Sequence, residues 1–243
     1  MNNIWNDFEV KDFTFEDRNA RIIFPKEANE GKNWTLKTEY RDAFPQIELE
    51  LLNRGFHVLW LENKNRWATK EDCDAKARFT AFVSKEYGLN KKCVPVGMSC
   101  GGAHAVNFAG FHPECVQCMY IDAPVMNFLS IPAACGKSVY GPTVWDNEFV
   151  KAYPGITRTK LLNFDNHPVL KAPILIENKI PIIMVYGDYD AIVVYEENGR
   201  LFEEYYEDHK ELLTVVKCPN REHHPHGIPG KPEVIADFIC EHI

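Results

Sequence analysis

One short stretch of the chain combines a reactive side chain with the glycines that such a side chain needs. Residues 93–105 run from an apolar segment through a G-x-S-x-G motif centred on Ser99 into a helix-forming segment. This strand–turn–helix setting predicts that Ser99 is a nucleophile held on a tight, strained turn above a sheet. Gly97 and Gly101 lack Cβ atoms, so the strand and the helix can pass closely. The backbone N–H of Cys100 would then face an oxyanion that forms beside Ser99.

Two loops farther along the chain carry the acid and the base that a catalytic serine requires. Residues 187–190 read Gly-Asp-Tyr-Asp and follow the apolar segment 182–186, and residues 220–227 contain three histidines. Loops at the carboxyl ends of the strands of an open α/β sheet lie together, so both loops can reach Ser99. The order serine, acid, histidine along the chain is the order expected on such a sheet.

The apolar pattern of the chain predicts the scaffold that would hold these loops. Apolar segments alternate with amphipathic ones, which is typical of parallel βαβ units. The predicted strands are residues 8–15, 21–25, 56–61, 93–98, 115–121, 182–186 and 212–217, the predicted helices are residues 47–55, 70–88, 99–111, 195–209 and 232–242, and residues 26–40 are predicted to be a loop. The expected fold class is α/β: one domain over residues 1–243 with a mostly parallel, doubly wound sheet flanked by helices.

Residues 126–178 interrupt this alternation. Five prolines separate short helical pieces there, at positions 132, 142, 154, 168 and 173. An insertion of this size above a sheet often covers the ligand crevice as a lid. Peripheral packing without any lid function is an equally good interpretation of the sequence.

The composition limits the classes of protein to which the chain can belong. Its 243 residues are 45% hydrophobic, 26% charged and 12% aromatic, as in a globular domain with a large core. A formal net charge of -8 disfavours nucleic acid or an anionic membrane as the main partner. The N-terminus shows no secretory signal pattern, and the eight cysteines are scattered. These features predict reduced thiols and a cytoplasmic location, and leave the oligomeric state open.

The three motifs together resemble those of α/β-hydrolase-fold serine esterases and lipases, over nearly the whole chain. The chain is also similar to a subgroup of small bacterial hydrolases that carry His-His-Pro-His near the C-terminus and Tyr-Glu-Glu-Asn after the acid loop, here residues 195–198. The pattern Gly-x-x-Asp of this family implies that Asp190 is the acid and that Asp188 braces the turn. The resemblance also implies His223 as the base.

The histidine loop departs from the family pattern, which leaves more than one histidine open as the base. Glu222 replaces the glycine that usually precedes the catalytic histidine. His224 and His226 are therefore the substitutes for His223. In extended backbone His224 would point away from Ser99, and His226 would lie at the pocket rim, in contact with the substrate.

The resemblance further implies a second oxyanion donor on the loop after an early strand. In this sequence that loop would begin at Pro25, and the His-Gly pair usual at this place is absent. The backbone N–H of Lys26 or of Glu27 is the predicted donor, beside that of Cys100.

The same predicted loop, residues 26–40, is expected to shape the pocket. It carries Trp34, Lys37 and Tyr40, and aromatic side chains often line ligand sites. We predict that this loop forms one wall of the pocket and that Trp34 contacts the substrate.

The histidine cluster also admits a metal-binding interpretation. Closely spaced histidines on one loop lack the second group of ligands that a catalytic zinc requires. The sequence therefore predicts no metal and no cofactor.

These observations favour one function and leave two others open. The favoured function is a serine hydrolase that cleaves a carboxylic ester through an acyl-enzyme, with Ser99, His223 and Asp190 as its triad. Its substrate would be a small-molecule ester, with a small or sugar-linked acyl group rather than a bulk lipid. A peptidase or thioesterase on the same scaffold is one alternative, and a non-catalytic small-molecule-binding protein is the other.

Overall fold

A nine-stranded sheet runs through the protein, whose computed structural model describes residues 3–140 and 144–243. In chain order the strands are β1 (Asn3–Trp5), β2 (Phe8–Phe15), β3 (Arg18–Ile23), β4 (Trp34–Lys37), β5 (His57–Leu61), β6 (Val94–Met98), β7 (Met119–Asp122), β8 (Ile182–Gly187) and β9 (Leu213–Cys218). Their order across the sheet is β1-β2-β3-β5-β4-β6-β7-β8-β9. Strands β4 to β9 are parallel, and β1 to β3 form an antiparallel edge.

Helices cover both faces of this sheet, as predicted. In chain order they are α1 (Gln46–Asn53), α2 (Lys70–Tyr87), α3 (Cys100–Phe111), α4 (Val150–Ala152), α5 (Arg158–Leu161), α6 (Ala172–Glu177), α7 (Gly199–Tyr205) and α8 (Pro232–Glu241). Apolar residues of α1 and α8 pack on one face, and those of α2, α3, α6 and α7 pack on the other. Among the described helices, none combines the length and apolar character that crossing a bilayer requires.

Strand β4 lies where the sequence predicts only loop. All four of its residues are buried, between β5 and β6. The apolar and polar residues alternate from Trp34 to Lys37, but over only four residues, the shortest run that indicates a strand. Lys37, its last residue, pairs with Val96 of β6. The loop that follows β4 is therefore adjacent to the turn that carries Ser99.

The insertion over residues 126–178 divides into two parts in the structure. Described residues between 128 and 161 pack above the carboxyl ends of the central strands, whereas its last helix, α6, packs on the face of the sheet with α3. The aromatic side chains of the first part form a cluster in which the Phe149 ring lies 5.5 Å from that of Trp67 and 5.2 Å from that of Phe128. The cluster includes Cys100 and Ala103 of α3, so it covers the start of that helix. Residues 141–143, which include the proline at position 142 of the predicted insertion, lie outside the described residues. Residues 1 and 2, at the N-terminus for which no secretory signal is predicted, also lie outside them.

Candidate active site

Ser99 lies on the turn between β6 and α3, with φ +53° and ψ −120°. Such a backbone costs a non-glycine residue about 1–3 kcal/mol, so surrounding contacts must hold it. Its N–H donates to the carbonyl oxygen of Asp122 at 2.9 Å, and its carbonyl oxygen accepts from the N–H of Val125 at 3.0 Å. A Cβ on Gly97 would lie 2.4 Å from the carbonyl oxygen of Gly101. The structure therefore contains the strained turn that the sequence predicts.

Cys100 begins helix α3 directly after this turn. Its backbone N–H belongs to the first turn of the helix, where N–H groups have no partner within the helix. Burial raises the pKa of its thiol to about 11. The thiol therefore stays protonated at neutral pH and does not compete with the Ser99 hydroxyl as a nucleophile.

Asp190 and His223 lie in direct contact. The Nδ1 atom of His223 is 2.7 Å from Oδ2 of Asp190, and both side chains are buried. The other carboxylate oxygen accepts from the N–H groups of Ile192 at 2.9 Å and Val193 at 2.8 Å. With its carboxylate held in this way, Asp190 fixes the orientation of the imidazole and leaves Nε2 free. His223 and Ser99 line the same cavity.

Asp188, the alternative acid, has other partners. It accepts from the N–H of Asn220 at 2.6 Å and forms an ion pair with Lys217 at 3.2 Å. A Cβ on Gly187 would lie 2.1 Å from the carbonyl oxygen of Arg221, so the acid loop and the histidine loop touch here. Asp188 thus braces this contact between the loops, while Asp190 is the carboxylate that the structure brings to His223.

Lys26 does not lie near Ser99, and the prediction that its N–H is an oxyanion donor is wrong. Strand β3 is antiparallel to β5, and its last residue pairs with the second residue of β5. The loop after β3 therefore lies at the edge of the sheet opposite to the carboxyl ends of the parallel strands. Lys26 instead places its ammonium 5.7 Å from the Phe8 ring centre. Glu27 is excluded for the same topological reason.

Tyr40 lies on the loop that does meet the nucleophile turn. This loop follows β4, the neighbour of β6, and Tyr40 lines the same cavity as Ser99. Its hydroxyl group interacts with the side chain of Cys100, and burial raises the pKa of the phenol far above its ordinary value. The hydroxyl therefore stays protonated and can donate a hydrogen bond to an oxyanion beside Ser99.

We expect Tyr40→Phe to lower kcat for hydrolysis at Ser99 by about 10²- to 10³-fold, with a smaller change in KM, because one donor to the transition state is lost. Steady-state kinetics with a chromogenic ester measure both constants. Tyr189→Phe, at an exposed tyrosine, is the matched control and should behave as wild type. Equal kcat in wild type and Tyr40→Phe would remove this hydroxyl from the oxyanion hole.

Trp34 does not line the cavity, and the prediction that it contacts substrate is wrong. It is the first residue of β4, at the edge of the sheet remote from Ser99, and it is fully buried. Its indole N–H donates to the carbonyl oxygen of Asn90 at 2.8 Å. Lys37 is also buried and forms an ion pair with Glu48 at 2.6 Å. Of the predicted pocket wall, the structure keeps only the tyrosine at position 40.

His226 lies deeper than the predicted pocket rim. It lines the cavity but is only 6% exposed, and its Nδ1 atom is 3.0 Å from Oδ1 of Asp122. The same carboxylate accepts from Arg221 at 2.7 and 3.0 Å and from the N–H of Gly227 at 2.7 Å. Asp122 therefore anchors the histidine loop to the end of β7. One feature of the sequence indicates that Asp122 lies near the site: it ends an apolar strand, β7, which is the neighbour of the nucleophile strand β6.

The buried Asp122 carboxylate stays ionised. Burial acts to raise the pKa of Asp122, but the hydrogen bond from His226 and the charge of Arg221 outweigh it and hold the pKa below its ordinary value. A carboxylate whose pKa is lower in the folded than in the unfolded state stabilises the fold above the unfolded pKa. That stabilisation is lost as the pH falls through the folded pKa.

We expect Asp122→Ala to lower the free energy of unfolding at pH 7 by about 3–5 kcal/mol, because Arg221 is left buried without its counter-charge. The deficit should begin to shrink as the pH falls below about 4 and continue to shrink through the lower folded-state pKa of Asp122, where the wild type also loses the ionised carboxylate. Urea denaturation at the two pH values measures this. Asp208→Ala, at an exposed acid on another surface, is the control and should show a small effect. An equal deficit at both pH values would contradict the electrostatic account.

His224 does not point away from Ser99, as extended backbone would require. It lines the cavity at an exposed position, and its ring stacks on Phe44 with centroids 5.4 Å apart. Burial, followed by the charges of His223 and His226, lowers the pKa of His224. All three histidines of the loop therefore face one cavity.

Arg66 and Trp67 line the cavity but were not found from the sequence. Arg66 stacks on Trp67 with its guanidinium 5.5 Å from the ring, and it donates to both carboxylate oxygens of Glu148 at 2.6 and 2.8 Å. The indole N–H of Trp67 is buried and has no partner among the described residues. Nothing in the local sequence marks this pair, because it becomes part of the site only through the insertion that carries Glu148.

The cavity that these residues surround measures about 240 Å³. Its wall is formed mainly by aromatic and aliphatic side chains, and Ile131 and Tyr140 of the insertion complete it. None of the described residues that line it is acidic. Arg66 supplies a cationic group, and Glu148 already balances that charge.

The sequence matches one protein family over most of its length. Residues 54–239 match the prolyl oligopeptidase family, which comprises serine hydrolases of α/β-hydrolase fold. The match begins before β5 and ends within α8, so it includes both the nucleophile turn and the histidine loop. A search of curated proteins gives no significant match.

Solved structures share the fold at low sequence identity. Acylaminoacyl peptidase of Pyrococcus horikoshii superposes with a TM-score of 0.73 at 16% identity over 97% of this chain and 42% of that one. A protein of Bacteroides ovatus described as a candidate dipeptidyl aminopeptidase IV gives 0.71 and 13% over 97% and 36%. A bacterial membrane phospholipase A gives 0.64 and 15% over 96% and 86%. The chain thus spans about two-fifths of the two peptidases. The predicted α/β-hydrolase fold is confirmed, and the narrower likeness in the C-terminal loop stays a prediction.

Proposed function

We propose that the chain, which belongs to the prolyl oligopeptidase family of serine hydrolases, acts through an acyl-enzyme on Ser99. We further propose, from the small cavity beside Ser99, that its substrates are carboxylic esters with small acyl groups. The Ser99 hydroxyl attacks the acyl carbon as Nε2 of His223 takes its proton. Asp190, 2.7 Å from Nδ1, holds the imidazole in the required tautomer and stabilises its positive charge. The tetrahedral oxyanion accepts hydrogen bonds from the N–H of Cys100 and from the hydroxyl of Tyr40.

The second half of the reaction uses the same groups. The imidazolium of His223 gives its proton to the departing alcohol, which leaves the acyl group on Ser99. A water molecule then takes the place of the alcohol, and His223 removes its proton as it attacks the acyl carbon. The acid is released, and the Ser99 hydroxyl is restored by proton return from His223. No cofactor takes part in this sequence.

The observation that carries the ester assignment is the cavity beside Ser99. At about 240 Å³ it is smaller than the roughly 300–1,000 Å³ of sites for drug-sized ligands. A small acyl group fits this volume, whereas a lipid chain does not.

The insertion over residues 126–178 is assigned to the same catalytic domain as a cap on this cavity. Ile131 and Tyr140 of the insertion line the cavity, and Glu148 fixes Arg66 on its wall. These contacts support a role in enclosing the acyl group.

Peptide hydrolysis is the second candidate, and the family match and the two peptidase structures favour it. Recognition of a peptide N-terminus needs a carboxylate that pairs with the ammonium group. No acidic residue stands among the described residues of the cavity wall, which argues against an aminopeptidase. The phospholipase match shows that the same fold is also compatible with ester substrates, so the fold does not separate the two.

A matched substrate series tests the ester assignment. Acetyl, butyryl and octanoyl esters of one alcohol are compared with p-nitroanilides of acetyl, aminoacyl and N-acylated dipeptidyl groups. We expect kcat/KM to be highest for the short-chain esters and not to rise as the peptidyl group is lengthened. If kcat/KM for a peptidyl anilide equalled or exceeded that for the acetyl ester, the peptidase would be the correct assignment.

A further inference from the structure

Three imidazoles converge on the loop between β9 and α8. One ring nitrogen from each of His223, His224 and His226 lies within 4.8 Å of those of the other two. Their ring centroids are 4.6, 5.0 and 5.1 Å apart. Within residues 3–140 and 144–243, no other trio of histidine, cysteine or acidic side chains meets this spacing. Imidazole nitrogen is a ligand suited to zinc and copper.

Two of these imidazoles are held by carboxylates on the ring nitrogen Nδ1. Nδ1 of His223 lies 2.7 Å from Asp190, and Nδ1 of His226 lies 3.0 Å from Asp122. Metal-bound histidines show this arrangement, in which a carboxylate accepts from one ring nitrogen and the other nitrogen binds the ion. The lone pairs on Nε2 of both rings are therefore the ones left to coordinate a metal.

His224 completes the group from the exposed side of the cavity. Its ring makes aromatic contacts with Phe44, His223 and His226, and no described residue forms a hydrogen bond with it. Either of its nitrogens can therefore turn towards an ion without breaking an existing bond. The packing on Phe44 limits the ring's freedom, which lowers the entropy lost on coordination.

From this geometry we propose that His223, His224 and His226 form a binding site for one divalent zinc-like ion. Tetrahedral zinc at about 2.0–2.1 Å needs ligand nitrogens roughly 3.3 Å apart, so the widest pair must approach by about 1.5 Å. The fourth coordination position faces the cavity and takes water. Three histidines and one water give four-coordinate zinc, so the site needs no second group of protein ligands. The carboxylates of Asp190 and Asp122 hold two of the histidines in position.

Occupation of this site stops ester hydrolysis, a consequence that rests on the proposed function. The metal takes the lone pair on Nε2 of His223, and the same lone pair must accept the proton of Ser99. Removal of the ion by a chelator returns the lone pair, so the inhibition is reversible. The binding itself does not depend on what the enzyme hydrolyses.

Direct binding is measured first, with the full chain freed of metal by EDTA, dialysed and titrated with ZnCl₂ in a calorimeter. We expect one Zn²⁺ per chain, with at least about tenfold weaker binding in His224→Ala. His209→Ala, at a partly exposed histidine on another surface, should bind as wild type does. Absence of stoichiometric binding, or equal affinity in His224→Ala and wild type, would overturn the site.

Inhibition is measured next, as turnover of a short-chain ester against zinc concentration. Zinc should stop the wild type, and EDTA should restore it. Measured against its own zinc-free turnover, His224→Ala should need at least about tenfold more zinc for half-inhibition. Ser99→Ala should bind zinc like wild type, which separates the two proposals. Loss of the Ser99 mechanism would leave the binding isotherm intact, whereas activation by zinc or equal inhibition of wild type and His224→Ala would overturn the inhibitory role.

Discussion

Ser99→Ala is expected to lower kcat for a short-chain ester by about 10⁴-fold or more and to leave the fold intact. The hydroxyl is the atom that forms the acyl-enzyme, and its backbone contacts to Asp122 and Val125 do not involve the side chain. Stopped and steady-state assays of turnover, together with Tm, measure the two parts of the prediction. Turnover close to wild type in a folded Ser99→Ala protein would exclude the acyl-enzyme mechanism.

Ser99→Gly is the matched control that separates chemistry from backbone strain. It should be as inactive as Ser99→Ala, because it also lacks the hydroxyl. At φ +53° glycine avoids the Cβ conflict, so this variant should be more stable than Ser99→Ala by about 1 kcal/mol. If the glycine variant were the less stable of the two, the turn would not be strained in the way the geometry indicates.

Asp190→Asn is expected to lower kcat by about 10⁴-fold, because the amide favours the wrong tautomer of His223. One oxygen of the new side chain can still accept from the N–H groups of Ile192 and Val193, so the loop should stay in place. Turnover and Tm are measured for both Asp190→Asn and the neighbouring Asp188→Asn.

The expected ranking is the test. Asp188→Asn should keep most of its turnover, because Asp188 contacts Asn220 and Lys217 rather than a histidine. Its effect should fall on Tm instead. The reverse ranking would make Asp188 the carboxylate that orients the base, against the 2.7 Å contact seen for Asp190.

The parallel core of the fold could be predicted because its signals are local. A buried strand, a G-x-S-x-G turn and a helix follow each other within residues 93–105, and the structure has β6, Ser99 and α3 in that order. Loop positions followed from the rule that ligand sites lie at the carboxyl ends of parallel strands. That rule brings residues 187–190 and 220–227 together, although residues 191–219 lie between them.

The direction of a strand, in contrast, is set by its partners and not by its own residues. The residues of β3 would form a strand in either direction. Because β3 pairs antiparallel with β5, Lys26 lies at the edge of the sheet opposite to Ser99. Strand β4 alternates apolar and polar residues over only four positions, which is a weak signal inside a predicted loop rich in polar residues. These two features explain why the predicted roles of Lys26 and Trp34 are wrong, whereas Tyr40, on the loop after β4, does line the cavity.

Contacts between side chains far apart in the sequence could not be predicted either. His226 was expected at the rim, but Asp122, more than a hundred residues earlier, holds it in the interior. Arg66 joins the cavity because Glu148 of the insertion pairs with it. Each of these depends on side chains that only the tertiary structure brings together.

The most direct test of a serine nucleophile at the centre of this site is labelling with a fluorophosphonate probe in EDTA-treated protein. Intact mass spectrometry should show one adduct per chain, and peptide mapping should place it on Ser99. Labelling should be absent in Ser99→Ala and strongly slowed in Asp190→Asn, since the probe reacts only with an activated hydroxyl. No adduct on wild type, or an equal adduct on Ser99→Ala, would contradict the assignment of Ser99 as the nucleophile.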